Sequence, residues 1–401
     1  MATLTFETLQ FREQTEGVKI IFHGSFYCLI PHEALSKLGK YVLKDKSIEF
    51  PNAHEKKVQH TFSMLLETGF QNLYSVFTGK KTIYVHKNSG IPLLGTRFIG
   101  IQDRGTTFLE LKPLTGCTMG CIFCSVDEGI GSKKTTDFFV EREYLVEETQ
   151  KLLDFKKCHD IHIYINLHGE PLLYPELTTL ITDLKAIQWV KKVTLITTAA
   201  LLTKEKINEF VIAGLDELNI SLSAMDDTLA KKIMGNPAYS ISHVTEMIHA
   251  AHKKIKVTIA PVWVDGINDA EMEKIIAFAQ KNNCIVRIQK FCYNKGGRNP
   301  IEEITWDEFF SKIEQLEKKT GMKLKEDIEA YPLKKTVEYP VPFKRKEVVE
   351  ATIISAGRYC HERLGVSRNR LISIPSCKKE SGKIKIRITH STHNVIIGEI
   401  L

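Results

Sequence analysis

From about Thr106 onward, short apolar runs alternate with longer stretches in which apolar residues recur every three or four positions among charges. The runs Thr106–Leu111, Ile161–Leu167, Val193–Thr198, Glu217–Ser223, Lys256–Val264 and Ile285–Phe291 read as strands. The intervening stretches Val140–Lys157, Pro175–Gln188, Thr203–Ala213, Ile241–Lys253 and Asp269–Lys281 have helical period and length. Strands separated by helices predict βαβ units and a parallel sheet, hence an α/β core. Six such units suit either a partial barrel or an open doubly wound sheet, and spacing does not choose between them. In both architectures the chemistry sits at the carboxyl ends of the strands, so site residues should fall there.

The flanks have other rhythms. Residues 1–95 mix strand-like runs (Val18–Phe22, Thr82–Val85) with one helical stretch, His54 to Glu67, and predict a small accessory α+β domain. After the core, taken as 96–325, Trp306–Gly321 reads as its last helix, ended by glycine. A linker over 326–342 contains Pro332, Pro340 and Pro342. The segment 343–401 alternates over Glu347–Ile354, Asn369–Ile374, Lys383–Ile388 and Asn394–Ile400, the pattern of a small antiparallel β-barrel.

Composition adds two constraints. Hydrophobic residues make up 43% and charged residues 26%, ordinary for a globular chain with a sizeable core. No apolar run approaches the roughly 18 residues of a membrane helix, and the first residues show no secretory pattern. A cytoplasmic protein with no membrane partner is the expectation. Residues 343–401 carry twelve Lys and Arg against five acids, a net +7 equal to that of the whole chain, so residues 1–342 are neutral overall. The excess positive charge lies entirely in the tail.

Of nine cysteines, three cluster: Leu114–Ser125 reads LTGCTMGCIFCS, a Cys-x3-Cys-x2-Cys arrangement of Cys117, Cys121 and Cys124 just after the first core strand. Three close thiolates suit a soft metal. A structural zinc site normally has four ligands, whereas three ligands to an iron–sulfur cluster leave one iron open. A zinc knuckle borrowing His168 or Cys158, or a redox pair of Cys121 and Cys124, are the alternatives. Cys158 and Cys284 read as core residues; Cys292, Cys360 and Cys377 could hold a second cluster or carry a transferred group, although no second Cys-rich spacing is present.

The spacing, the aromatic Phe123 and the position after the first strand resemble the radical S-adenosylmethionine (radical SAM) superfamily. That resemblance covers roughly residues 106–300 and implies a partial (β/α)6 TIM-like barrel. It also implies a 4Fe–4S cluster on the three cysteines, and SAM cleaved reductively at that cluster to a 5′-deoxyadenosyl radical. The second strand runs into His168-Gly169-Glu170-Pro171, similar to the family's Gly-Gly-Glu-Pro element with His168 in place of its first glycine. Gly169, Glu170 and Pro171 are thereby implied around the SAM amino group. The strand-end hydroxyls Thr197, Thr198, Ser221 and Ser223 are implied on its ribose or carboxylate. Val264–Asp269 resembles the loop near adenine, which implicates Asn268, also a credible helix N-cap. The Gly-rich stretch Lys290–Pro300 would bring donors to the barrel mouth for substrate. No residue is singled out as catalytic. No cobalamin-binding Asp-x-His-x-x-Gly loop is visible. The cluster motif is similar to that of the ribosomal-RNA adenine methylases, which use a C-terminal cysteine as methyl carrier.

The basic tail resembles a TRAM-type β-barrel, an RNA-binding module of several tRNA-modifying relatives; the whole layout is similar to uncharacterised archaeal proteins described as predicted iron–sulfur oxidoreductases. This implies RNA, tRNA first, as partner, and a reductant such as ferredoxin or flavodoxin. Arg368, Arg370, Lys383, Lys385 and Arg387 are the candidate phosphate contacts, with Tyr359 a stacking platform. The rival readings are the same chemistry on a small metabolite, lipid or protein side chain, and a non-catalytic RNA-binding metalloprotein. The sequence leaves the modified atom, the fate of SAM and the oligomeric state open.

Overall fold

The computed structural model of the chain describes residues 1–165, 168–325 and 333–401. The end of the predicted strand Ile161–Leu167 and Pro332 of the linker lie outside the described residues.

The core sheet has seven strands in the order Ile285–Val286, Lys256–Ile259, Glu217–Ile220, Val190–Thr197, Ile161–Ile165, Phe108–Lys112 and Gly100–Asp103. All neighbours pair parallel except Gly100–Asp103, which runs antiparallel to Phe108–Lys112. The six parallel strands thus lie in chain order, with no reversal. A doubly wound sheet requires a switch point where the order reverses. Strands added always on the same side give the singly wound partial barrel instead. Residues such as Ile163, Val193, Leu195, Leu218, Ile220 and Ile259 are fully buried, as strands covered on both faces must be.

Local chemistry sets the helices between them. Thr203 caps Lys204–Ile212 and Ser240 caps Ile241–Ala251 through side-chain oxygens that accept backbone N–H groups. Thr305 and Glu308 form a reciprocal capping box on Trp306–Thr320, which Gly321 ends in the left-handed conformation. One further helix, Asp227–Met234, is absent from the predicted elements because its eight residues fill barely two turns, although Ala230, Ile233 and Met234 form a buried face at helical spacing. Its ends are well specified: Asp226 accepts from Leu229 N and Gly235 closes it with φ +60°.

The N-terminal residues build a three-stranded antiparallel sheet and most of a six-stranded one. The last strand of the larger sheet, Thr136–Val140, comes from beyond the cysteine loop and pairs parallel with Lys81–Val85. The accessory unit and the chain leaving the cysteines are therefore one sheet. The tail forms a closed barrel of Val348–Ala356, Arg363–Ser367, Arg370–Ile374, Ile397–Ile400 and Gly382–His390, around Ile353, Ile372, Ile374, Ile386, Ile388 and Ile396. Its strand Arg363–Ser367 has too little alternation to be seen in the sequence.

The barrel docks through backbone. Leu371 N donates to Leu94 O (2.8 Å), Ile396 N to Gly95 O (2.7 Å) and Thr135 N to Arg358 O (2.8 Å). Gly95 sits at φ +136°, and a Cβ there would collide with the backbone of Leu371. No helix of the described residues is long and apolar enough to cross a membrane.

Candidate active site at the strand ends

The loop after Phe108–Lys112 carries the three cysteines over one end of the barrel. Cys117, Cys121 and Cys124 line a cavity of about 380 Å³ together with Phe123, Gly169 and Glu170. Thr197, Thr198, Asn219 and Ser221 at the ends of the next strands line it too. The carboxyl-end expectation therefore places the cysteines, Gly169, Glu170, Thr197 and Ser221 in one concavity.

Backbone amides already serve two of the sulfurs: Met119 N donates to Cys117 Sγ (3.4 Å) and Glu128 N to Cys124 Sγ (3.3 Å). Burial raises the Cys117 thiol far above its usual range, with the Glu170 charge adding to it. Burial and the neighbouring Cys124 push Cys121 up to about 12. Thiols so placed keep their protons until a cation displaces them. Among the described residues no three His, Cys, Asp or Glu side chains converge as ligands of one metal ion. Soft donors spread round a cavity, with amides directed at sulfur, suit a polynuclear cluster better than a single zinc.

The loop is held from three sides. Gly120 N donates to Met234 O (2.8 Å) and Ile122 N to Ile233 O (2.9 Å), so the unforeseen helix Asp227–Met234 pins its middle. A Cβ on Gly235 would collide with the Gly120 carbonyl, so only glycine permits this approach. On the second side, Gly169 at φ +89° lies against Gly116, whose carbonyl accepts Glu170 N (2.9 Å). On the third, Arg298 donates to Asp127 Oδ1 (2.8 Å) and to the carbonyls of Cys121 (3.3 Å), Glu128 (3.0 Å) and Ile130 (2.6 Å). Arg298 was expected among donors for substrate at the barrel mouth. Instead, four oxygens of the cysteine loop occupy its guanidinium.

Glu170 is fully buried and receives Thr197 Oγ1 (2.5 Å), Leu172 N (3.2 Å), Thr198 N (3.0 Å) and Thr198 Oγ1 (2.6 Å). Burial raises its pKa despite these donors. The carboxylate fastens two strand ends together at the cavity wall. Pro171 begins a short turn, Pro171–Leu173, and is absent from the lining.

Two residues implied as cofactor contacts, Ser223 and Asn268, bond backbone instead of lining the cavity. Ser223 Oγ accepts Val262 N (3.1 Å), and Ser223 is not among the lining residues. Asn268 also stands apart: its Oδ1 accepts Val264 N (2.8 Å) and its Nδ2 donates to Ser223 O (2.8 Å) and Val262 O (2.9 Å). It occupies the N-cap position of Asp269–Lys281 without a side-chain capping bond. Both side chains bond backbone and knit strand ends together. Asn219, Gln289, Lys290 and Cys292 do line the cavity and were not foreseen as cofactor contacts. Asn219 lies inside a strand whose pattern reads as core, so no local signal marks it.

In the tail, the reading of Arg370 as a phosphate contact is corrected. It is buried, donating to Asn394 Oδ1 (2.9 Å) and Pro340 O (2.7 Å) across the Tyr339 ring, so phosphate cannot reach it. Arg368 is paired with Glu347 (2.7 Å), Lys383 with Glu350 (2.8 Å) and Arg387 with Glu399 (3.3 Å), all half-exposed or more on the basic side. Lys385 is exposed on the same strand.

The sequence profile of the radical SAM superfamily matches residues 111–279. The chain is 33% identical over 394 residues to a protein of Methanocaldococcus jannaschii named Uncharacterized protein MJ0103, covering 89% of this chain and 90% of that one. It is 27% identical over 227 residues to the GTP 3′,8-cyclase of Thermodesulfovibrio yellowstonii, covering 55% of this chain and 66% of the cyclase. Among solved structures, Streptococcus suis SuiB bound to S-adenosylmethionine aligns with a TM-score of 0.44 at 14% identity, over 82% of this chain and 75% of SuiB. This chain belongs to the radical SAM superfamily, enzymes that use a 4Fe–4S cluster and S-adenosylmethionine.

Proposed function

We propose that Cys117, Cys121 and Cys124 hold the 4Fe–4S cluster, that SAM occupies the adjoining cavity, and that the substrate is RNA, with tRNA first among candidates. The observation that carries this reading is the meeting of three thiols with Gly169, Glu170, Thr197 and Ser221 round one cavity. When bound, the two groups supply a 5′-deoxyadenosyl radical after one electron from a ferredoxin- or flavodoxin-type donor. The chain's own part is positional. Amides at Met119 and Glu128 offset sulfur charge, Arg298 and the helix Asp227–Met234 hold the loop, and Glu170 fixes Thr197 and Thr198. Ser221 and Asn219 offer hydrogen-bonding groups to the ribose and carboxylate of SAM.

RNA is supported by the location of the whole net charge in a closed β-barrel with exposed lysines, since basic faces recruit phosphate backbone without specifying sequence. Anaerobic reconstitution with iron and sulfide, followed by dithionite and SAM, should yield 5′-deoxyadenosine, and Cys121→Ala should yield none. Bulk tRNA should bind with an affinity falling steeply with salt; replacing Lys383, Lys385 and Arg387 by Ala should flatten that slope by about 3. Salt-independent binding would remove RNA from the reading, and an unchanged slope would remove the tail from its recruitment. Mass spectrometry of nucleosides from a strain lacking the gene would then name the product. A second reading, a free nucleotide substrate, is favoured by the similarity to GTP 3′,8-cyclase.

A further inference from the structure

Beside the first cavity lies a second, of about 620 Å³, walled on one side by the core and on the other by the tail barrel. Ser125, Val126 and Asn294 line both, so the two adjoin. The barrel contributes Arg358, Tyr359 and Ile396 to the wall, and Gly296 of the Gly-rich loop approaches the Tyr359 hydroxyl. The barrel therefore completes a concavity next to the radical site.

The charge of this cavity is unbalanced. Its acids are engaged: Asp127 accepts from Arg298 and from Lys133 N (3.1 Å), and Glu362 accepts Ser373 Oγ and Arg358 N (2.8 Å). Arg358 is paired with buried Glu128, which Lys134 also contacts. The exposed cations Arg97, Lys133 and Lys295 line the cavity, with no ion-pair partner among the described residues. Cations gathered round a low-dielectric concavity focus its potential on anions. Buried polar atoms point the same way: His168 Nδ1 and Arg358 Nε, both on residues lining the cavity, have no hydrogen-bond partner among the described residues. His168 and Arg358 are 8% and 5% exposed, so each leaves an unsatisfied polar atom in the wall of the cavity. Phe98, Val395 and Ile396 add apolar surface, and the volume suits one ring-bearing molecule.

We infer that this composite cavity is the substrate site and takes a phosphorylated nucleoside unit. Its phosphate would sit among Arg97, Lys133 and Lys295, and its ring beside Tyr359. The choice of a nucleoside rests on the proposed function; the anion preference rests on the cavity alone. The barrel is then a wall of the active site, and not only a tether for RNA.

The test uses the full-length reconstituted protein and two probes: nucleoside 5′-monophosphates compared with the matching nucleosides, and bulk tRNA. Arg97→Ala/Lys133→Ala/Lys295→Ala should weaken binding of the phosphorylated probe by about tenfold or more and flatten the salt slope of tRNA binding by about 2. The charge-keeping set Arg97→Lys/Lys133→Arg/Lys295→Arg should return to within about threefold of the parent. Saturable binding of monophosphates but not nucleosides marks a free nucleotide; binding of tRNA alone, lost in the alanine set, marks a nucleotide within a strand. Both outcomes support the cavity. Undiminished binding of both probes by the alanine set, or binding of neither by the parent, overturns it. If tRNA binding falls only when Lys383, Lys385 and Arg387 are replaced, the cavity inference fails while the RNA reading stands. If monophosphates bind through the cavity but tRNA does not bind at all, the reverse holds.

Discussion

Arg298 touches four oxygens of the cysteine loop, and among the described residues no other side chain ties that loop to the Gly-rich segment so extensively. Hydrogen bonds to a charged group contribute about 1.5–3 kcal/mol each when buried, with strong overlap between neighbours. Arg298→Ala is therefore expected to lower iron retained per chain after reconstitution by at least about twofold, with the fold intact by circular dichroism. Undiminished iron content would show that the loop holds itself. A second residue with a measurable signature is His162, on the strand Ile161–Ile165. Burial, then the charge of Lys192, lowers its pKa to about 3, against the opposing pull of Glu217 and with Arg287 and Lys256 adding to the depression. The unfolded chain binds a proton near pH 6.5 that the folded chain refuses until about pH 3. Stability from this group is thus present above pH 6.5 and lost as pH falls through that window, by at most about 1.4 kcal/mol per unit. Urea unfolding at pH 7 and pH 5 should show the loss, and His162→Gln should shrink it.

At the scale of elements, the helix Asp227–Met234 is the part whose importance no periodicity betrays. Its Gly235 both ends the helix and lets the cysteine loop approach. Gly321 ends Trp306–Thr320 with similar backbone, at φ +69°, but nothing stands within 4 Å of where its Cβ would be. Gly321→Ala should therefore cost about 1 kcal/mol, the left-handed penalty alone. Gly235→Ala should cost about 3 kcal/mol, because it must also displace Gly120, and should impair reconstitution. Equal losses in thermal unfolding for the two variants would contradict the tight packing at Gly120. Most helix boundaries were legible because caps are local: Thr305 with Glu308, Ser240 and Thr203 sit beside the turns they satisfy. Ser223 and Asn268 misled for the converse reason. Their partners, Val262 N and the Ser223 carbonyl, lie on other strand ends, and a polar residue at a strand end looks the same whether it meets a ligand or a neighbouring backbone.

For the whole molecule, the docking of the tail barrel is the decisive feature. Arg358 reaches buried Glu128, a few residues beyond the last clustered cysteine, so the barrel and the cysteine loop share one ionic contact. Arg358→Ala would leave buried Glu128 with Lys134 as its remaining partner, so the loss falls below the about 3–5 kcal/mol of a wholly uncompensated charge. Arg358→Ala is expected to lower the melting temperature by several degrees, and Arg358→Lys to restore part of it. A melting temperature unmoved by Arg358→Ala would mean the barrel docks by its backbone bonds alone.

What the sequence determined by itself was whatever depends on near neighbours along the chain. Cys117, Cys121 and Cys124 lie within eight residues, so one loop must bring them together. The alternation of apolar runs with helical stretches dictated an α/β core, and counting charges placed the positive excess in residues 343–401. Tertiary structure alone decided whatever depends on distant segments meeting. Sequential strand order made the choice between partial barrel and doubly wound sheet that spacing left open, in favour of the barrel the radical SAM resemblance implied. Packing against Tyr339 and Asn394 buried Arg370, and the cysteine loop drew in Arg298. The docked tail made a cavity from Arg97, Lys133, Lys295 and Tyr359, residues up to hundreds of positions apart. Periodicity reports which face of an element is buried, but not what it is buried against. For that reason the cluster motif could be read from the chain, while the shape and charge of the space beside it could not.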